Sequence, residues 1–179
     1  MNTYGTLLDE QTVRFERVLP GPIERVWAYI TEPDKRASWL CGGDYELQPE
    51  GSVEMVFNNA RLSGPDDCEP LEKYRAVSGE VRMSGKVLRC EPPTLLEHTW
   101  VFGDEDSIVR YELEADGKAV RLVLTHSRLA TPDQVLSVCG GWHTHFAVLE
   151  AILDDAATPP FWKTLIPLER EYASRLGLD

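Results

Sequence analysis

Two neighbouring stretches decide the fold of this chain: Ala119-Val-Arg-Leu-Val-Leu-Thr-His-Ser127 and Gly140-Gly-Trp-His-Thr-His-Phe-Ala-Val-Leu-Glu-Ala-Ile-Leu153. In the first, apolar residues recur at every second position, which is typical of a β-strand. In the second they recur with a period of about 3.6, which is typical of a helix. Several strand-like segments precede this pair. A long helix that ends such a series is expected to cover one face of a curved antiparallel sheet, and that arrangement can enclose a cavity.

The composition is that of an ordinary globular protein. The 179 residues are enough for one buried core and few for two. A net charge of −12 repels phosphate backbones and anionic lipid headgroups, so we expect neither nucleic acid nor a membrane as partner. The first ten residues show no cationic region followed by an apolar run, and no later apolar stretch reaches membrane-spanning length. We therefore expect a cytoplasmic protein.

The four cysteines lie far apart and form no C-x-x-C pair. This spacing favours isolated reduced thiols over a disulfide framework or a structural zinc site. The sequence also contains no G-x-S-x-G motif, phosphate-binding glycine loop or dinucleotide fingerprint. We therefore expect neither a metal nor a cofactor. The cysteines are Cys41, Cys68, Cys90 and Cys139.

The first third of the chain predicts a strand followed by two short helices. The strand covers residues 13–19 and ends at Pro20-Gly21-Pro22. The first helix has the spacing of one buried apolar stripe, formed by Ile23, Val26, Trp27 and Ile30. The second helix is predicted over residues 34–40 and would carry Trp39 before it ends at Gly42-Gly43.

The middle of the chain predicts more strands, interrupted by one long loop. Strands are predicted over residues 53–57, 79–90, 95–102 and 107–115, and Asp116-Gly117 is a strong hairpin signal. Residues 58–78 lack clear periodicity. They could form a partly mobile lid over a cavity or a solvated connection, and the sequence leaves both open.

The last third predicts two helices. Thr131-Pro-Asp-Gln134 has the chemistry of a helix start, and the apolar stripe continues to about residue 153. Gly140-Gly141 interrupts that stripe, so we expect a kink or close packing there, because glycine costs about 1 kcal/mol inside a helix. A terminal helix is predicted over residues 161–176. Its aromatic side chains would pack on the same subunit or on a symmetry mate in a homodimer.

This order of elements resembles the helix-grip fold of the SRPBCC (START, birch-pollen-allergen-like) superfamily. Three stretches are similar to its branch named after the activator of the ATPase of the ninety-kilodalton heat-shock protein. These are Pro22-Ile-Glu-Arg-Val-Trp-Ala-Tyr-Ile30 with Trp39, Leu122-Val-Leu-Thr-His-Ser127, and Gly140-Gly-Trp-His-Thr-His-Phe146.

The resemblance implies an α+β fold in which a curved antiparallel sheet wraps around a long C-terminal helix, with two short helices after the first strand. It covers residues 12–155, and residues 156–179 would form an extension with a short docking helix. It also implies a cavity between sheet and helix. Members bind lipids, sterols, polyketides or other apolar molecules, and a minority catalyse reactions on them. The studied co-chaperones of that name carry a further domain, for which this chain has no room.

Three histidines are candidates for polar groups in such a cavity. Alternation places His98 and His126 on the inward faces of their strands, and His145 lies beside the inner stripe of the long helix. Three imidazoles could bind zinc, or one could act as an acid or base near neutral pH. We prefer the interpretation that they are hydrogen-bonded groups of the core or pocket wall. Cys139 and His143, four residues apart, are likewise interpreted as structural rather than as a metal pair.

The sequence therefore predicts a protein that binds a small apolar or aromatic molecule rather than an enzyme. One alternative is a cyclase- or hydrolase-type enzyme that uses the same cavity, with a histidine as general base. Another is a co-chaperone-like interaction module that uses the outer face of the sheet. The predicted wall residues are Phe57, Trp100, Tyr111, Trp142, Phe146 and Leu149, with His98, His126 and His145 as polar anchors.

Overall fold

The computed structural model describes residues 3–64, 66–76, 78–102 and 105–177. The strands are β1 Thr6–Asp9, β2 Thr12–Pro20, β3 Ser52–Asn58, β4 Glu80–Glu91, β5 Leu95–Phe102, β6 Glu105–Asp116 and β7 Ala119–Ser127. The helices are α1 Ile23–Thr31, α2 Pro33–Ala37, α3 Glu72–Arg75, α4 Pro132–Leu153 and α5 Phe161–Leu176, with a 3-10 turn at Asn59–Arg61. The strands form one curved antiparallel sheet in the order β1-β2-β7-β6-β5-β4-β3. The predicted α+β helix-grip fold is confirmed.

Strand β7 shows how the alternation of the sequence builds the core. It pairs with β2 on one side and with β6 on the other, and His126 lies opposite Val13 and Val109. These three side chains are fully buried, as are Val120 and Leu124 on the same face of β7. The inner layer of the sheet packs against α4 in one apolar core. An imidazole is thereby held among apolar groups.

The N-terminus contains a strand that the sequence did not predict. β1 pairs antiparallel with β2 at the edge of the sheet, and its four side chains are all exposed. A four-residue strand without a buried face has no alternation from which it could be recognised. The predicted first strand is therefore the second, and the two short helices follow β2.

The second short helix ends earlier than predicted. α2 stops at Ala37, and Trp39 lies beyond it, fully buried. The cause is Arg36, whose buried guanidinium donates hydrogen bonds to the carbonyl oxygens of Thr31 (2.9 Å) and Cys41 (3.1 Å), among others. Because one side chain satisfies carbonyls on both sides of α2, the chain turns there instead of continuing as a helix.

The segment predicted as a loop contains regular structure. The 3-10 turn follows β3 directly, and α3 lies before β4. Tyr74 of α3 is held by Glu169 of α5 (2.9 Å) and Ser137 of α4 (3.0 Å). The prediction of a wholly irregular loop is wrong, because helices of three or four residues are too short to show periodicity. This segment is fastened to both C-terminal helices.

The long helix α4 runs without interruption from Pro132 to Leu153. Its predicted start is confirmed, since the Thr131 side chain accepts a hydrogen bond from the backbone N–H of Gln134 (3.2 Å). At Gly140 a Cβ atom would lie 3.1 Å from Cδ1 of Leu165, so close packing of α5 explains this glycine. A Cβ atom at Gly141 would meet no atom within 4 Å.

Helix α5 packs on α4 of the same chain. Its buried residues are Phe161, Trp162, Leu165, Glu169 and Tyr172. The aromatic side chains that the sequence left without a partner are thus covered within one subunit. Residues 178 and 179 of the predicted extension lie outside the described part of the chain.

Candidate functional site

A pocket of about 380 Å³ lies between the sheet and the two C-terminal helices. Its walls on the sheet side come from β3, β4, β5 and β7: Phe57, Val81, Met83, Trp100 and His126. Helix α4 contributes Ser137, Val138, Gly141, Trp142 and His145, and α5 contributes Phe161, Trp162 and Leu165. The remaining lining residues are Leu40, Asn59, Lys73 and Tyr74. We call this space, defined by these residues, the grip pocket.

Five of the nine residues predicted as ligand contacts line the grip pocket. They are Phe57, Trp100, His126, Trp142 and His145. Their convergence follows from the alternation of β3, β5 and β7 and from the stripe of α4. Aromatic contacts connect them: the ring centroids of Trp100 lie 5.2 Å from Phe57 and 5.5 Å from Trp142. The pocket wall is therefore aromatic on both the sheet and the helix side.

The other four predicted contacts lie in the core and do not line the pocket. Tyr111 packs edge-on against Trp142, with ring centroids 6.0 Å apart, and Phe146 stacks on the same indole at 5.7 Å. Leu149 and His98 are fully buried. Periodicity gives the face of an element but not the depth of a residue along it, which is why these four were placed in the wall.

The sequence analysis missed the walls that α3, the 3-10 turn and α5 provide. Asn59, Lys73 and Tyr74 lie in the segment read as a loop, and Phe161 and Trp162 begin α5. The adjacent aromatic pair directly after Pro159-Pro160 was the available signal. What it could not show was that this end of α5 packs beside the sheet.

His126 lies in a chain of hydrogen bonds that fixes its tautomer. The indole N–H of Trp142 donates to Nδ1 of His126 (3.0 Å), so the proton of this neutral ring is on Nε2. Nε2 lies 2.8 Å from the hydroxyl of Ser107, which donates in turn to the carbonyl oxygen of Trp100 (2.8 Å). Burial, with His98 nearby, lowers the pKa of His126 to about 3. Both ring nitrogens are occupied, so His126 has no free lone pair for catalysis.

His145 is held differently and keeps one nitrogen for the pocket. Its Nδ1 lies 2.7 Å from the carbonyl oxygen of Trp39, which can only accept, so the proton is on Nδ1. Nε2 then carries a lone pair, and the structure gives it no hydrogen bond within the described part of the chain. Burial lowers the pKa of His145 to about 4. At neutral pH the ring is an uncharged hydrogen-bond acceptor.

His98 belongs to the core behind the pocket. Its Nδ1 donates to the carbonyl oxygen of Thr99 (2.9 Å), and its ring lies between those of Trp100 and Tyr111. Burial lowers its pKa to about 4. In the described ranges, no group of three or more His, Cys, Asp or Glu side chains is arranged to hold a metal ion.

Cys139 and His143 do not act as a metal pair in this geometry. Nδ1 of His143 lies 3.0 Å from the hydroxyl of Tyr172, which also accepts the backbone N–H of Gly5 (2.7 Å). Burial raises the pKa of the Cys139 thiol to about 12. The structural interpretation of these two residues accounts for their contacts: they help to seat α5 and the N-terminus on α4.

Two polar atoms of the grip pocket are buried without a hydrogen-bond partner. They are Nε1 of Trp100 and Oδ1 of Asn59. The indoles of Trp39 and Trp142 both donate, to the carbonyl oxygen of Tyr29 (2.8 Å) and to His126. Buried polar groups are nearly always paired. The exception at Trp100 therefore lies where a ligand would be.

The Lys73 ammonium is paired beside the pocket. It forms an ion pair with Oε1 of Glu169, which also accepts the hydroxyl proton of Tyr74 (2.9 Å). Glu169 is itself buried. Burial raises the pKa of Tyr74, so this phenol is neutral at physiological pH. The charges here balance each other.

Comparison with known proteins identifies the family. Residues 20–154 match the family described as Activator of Hsp90 ATPase homolog 1-like protein. The chain belongs to this family. A protein of Bordetella parapertussis, known from a solution NMR structure, is 45% identical, with a TM-score of 0.81 over 97% of this chain and 91% of that chain. No curated protein matches the sequence.

More distant structures share the fold of this Activator of Hsp90 ATPase homolog 1-like protein. CalU16 from Micromonospora echinospora is 21% identical, with a TM-score of 0.66 over 91% of this chain and 86% of its own. A conserved protein of unknown function from Enterococcus faecalis is 22% identical, with a TM-score of 0.67 over 97% and 91%. At these identities the likeness concerns the fold alone.

The outer face of the sheet carries charges that pair across the strands of this family member. Arg121 contacts Glu16 (2.6 Å) and Glu114 (3.5 Å), and Arg110 contacts Glu112 (2.8 Å). Exposed pairs of this kind contribute little to stability. A partner on this face would have to displace them, so the arrangement gives the co-chaperone hypothesis little support. Across the described ranges, no helix has the length and apolar character needed to cross a membrane.

Proposed function

We propose that this chain binds a small apolar or aromatic molecule in the grip pocket. The observation that carries the proposal is a mainly apolar, aromatic-walled pocket that contains a buried indole N–H without a partner. Small-molecule sites are typically of about 300–1,000 Å³, apolar, and equipped with a few polar groups that orient the ligand. The grip pocket, at about 380 Å³, has this composition and lies near the lower end of that range.

The same geometry gives the enzyme hypothesis less support. His126 has both ring nitrogens engaged, and His145, with a pKa of about 4, is a weak base at neutral pH. A general base works best when its pKa lies near the operating pH. Binding rather than proton transfer is what these side chains are suited for.

We further infer that binding takes place in the cytoplasm. All four cysteines are free thiols, and two of them, Cys41 and Cys139, are buried. Unpaired cysteines suit a reducing compartment.

Filling the pocket at Gly141 is expected to abolish most of the binding. The probe is N-phenyl-1-naphthylamine, an uncharged dye whose fluorescence rises in apolar surroundings. Gly141 lines the pocket, and a Cβ atom there meets no neighbour within 4 Å. A Gly141→Leu side chain therefore extends into the space of the ligand. We expect the dye to bind wild type at one site and the variant at least about tenfold more weakly, because overpacking costs about 1–3 kcal/mol.

The control is Gly79→Leu, which adds the same side chain at an exposed glycine outside the pocket, also without a neighbour within 4 Å. It should bind the dye like wild type. Thermal melts should show that Gly141→Leu is folded, since leucine replaces glycine in a helix interior. No dye binding to wild type, or equal binding to both variants, would refute the proposed function.

A further inference from the structure

We propose that the grip pocket selects an uncharged, hydroxylated aromatic molecule, whose hydroxyl group accepts from the indole N–H of Trp100 and donates to an acceptor on the opposite wall. This inference rests on the proposed function, because it names the chemistry of the molecule that the pocket binds. It follows from the donors, acceptors and charges of the lining residues.

The donor is Nε1 of Trp100. The residue is 8% exposed, and its indole nitrogen is buried without a partner. The carbonyl oxygen of the same residue is occupied by Ser107, so the local network does not reach the indole. An unsatisfied buried donor costs about 1–3 kcal/mol. A ligand oxygen placed here would remove that cost, which makes Trp100 a selective contact for a molecule with an acceptor.

The acceptors lie on other elements of the pocket. Oδ1 of Asn59, in the 3-10 turn, is buried without a partner. Nε2 of His145, on α4, has its lone pair free because the ring proton is fixed on Nδ1 by the Trp39 carbonyl. Neither atom can donate in this state. A ligand therefore needs a proton to give as well as an oxygen to receive one, and a hydroxyl group provides both.

The charges of the wall favour a neutral ligand. His126 and His145 are uncharged at neutral pH, and among the described lining residues Lys73 alone carries a full charge. The Lys73 ammonium is already paired with Glu169. A carboxylate or ammonium on the ligand would lose its water without gaining a free counter-charge, and burying an unpaired charge is costly.

The shape of the wall favours rings. The indoles of Trp100 and Trp142 and the phenyl ring of Phe57 lie together, and Phe161 and Trp162 meet edge-on at 5.0 Å on the opposite side. Aromatic pairs gain energy beyond the area that they bury. A flat molecule of a few fused rings suits a volume of about 380 Å³.

Three probes with the same ring system test the ligand class. They are 2-methylnaphthalene, 2-naphthol and 2-naphthoate, each used at pH 7 to displace N-phenyl-1-naphthylamine. We expect 2-naphthol to bind roughly five- to tenfold more tightly than its methyl isostere, since one net hydrogen bond contributes about 1 kcal/mol and an orphaned donor is satisfied. We expect 2-naphthoate to bind at least about tenfold more weakly than 2-naphthol.

The variants Trp100→Phe and His145→Asn assign the hydroxyl contacts. Phenylalanine keeps an aromatic ring and removes the N–H. Asparagine can still donate to the Trp39 carbonyl but has no atom in place of Nε2. In each variant the preference for 2-naphthol over 2-methylnaphthalene should fall to about twofold or less. The ratio of two affinities within one protein is insensitive to a modest loss of stability.

The outcomes separate this inference from the proposed function. If neither the dye nor any naphthalene binds wild type, the proposed function fails and this inference fails with it. If the probes bind in a manner that Gly141→Leu abolishes, but 2-naphthoate or 2-methylnaphthalene binds as tightly as 2-naphthol, the pocket binds a ligand of another class. An unchanged 2-naphthol preference in both variants would also overturn the inference. The ranking in wild type requires no variant to fold.

Discussion

Replacing Trp142 with alanine is expected to lower the free energy of unfolding by about 3–5 kcal/mol. The side chain is 4% exposed. It stacks on Phe146, packs against Trp100 and Tyr111, and donates its N–H to Nδ1 of His126. Truncation would leave a large void among three aromatic rings and a buried nitrogen without its donor. Contact with the pocket on one side reduces this cost less than the packing on its other sides increases it.

Urea unfolding of wild type and variant measures the effect, with Trp142→Phe as the matched control. Phenylalanine keeps a ring in the stack and removes only the hydrogen bond and part of the volume, so we expect a smaller loss of about 1–3 kcal/mol. Binding of N-phenyl-1-naphthylamine to Trp142→Ala should also weaken, because the indole is part of the pocket wall. A loss of stability under about 1 kcal/mol would contradict close packing, and unchanged dye affinity would contradict its place in the wall.

Much of the fold could be predicted because its signals are local. The cap at Thr131, the alternation of β7 and the stripe of α4 are read from neighbouring residues, and the structure has each of them. Features that depend on distant contacts were missed. The end of α2 is set by the carbonyls that Arg36 reaches, and β1 exists because it pairs with β2. Neither cause is visible within a short window of sequence.

The candidate site was predicted in part for the same reason. Alternation correctly directed His126 and Trp100 inward, because the period of a strand is local. It could not separate the pocket from the solid core behind it, where Tyr111 lies. The wall formed by Trp162 depends on where α5 docks, and docking is a tertiary contact. The polar character of the pocket depends on which hydrogen bonds are left unmade, and only coordinates show that.

The chain is expected to lose roughly 5–6 kcal/mol of stability between pH 7 and pH 5, through three buried histidines. The native pKa is about 3 for His126 and about 4 for His98 and His145, in each case lowered mainly by burial. In the unfolded chain an imidazole has a pKa of about 6.5. The native state therefore keeps these rings neutral, while the unfolded state takes up protons as the pH falls below about 6.5. Each ring contributes about 2 kcal/mol of destabilisation by pH 5.

This loss is large because small domains are stable by only about 5–15 kcal/mol. Carboxylates protonate mainly below pH 5, so the interval from pH 7 to pH 5 reports on histidine. Urea midpoints measured across this interval should fall steeply, with more protons bound by the unfolded chain. His126→Gln should flatten the decline by the share of one ring, even if it lowers stability at pH 7. Constant stability from pH 7 to pH 5 would show that the imidazoles titrate normally, and would remove the basis for treating the pocket wall as uncharged.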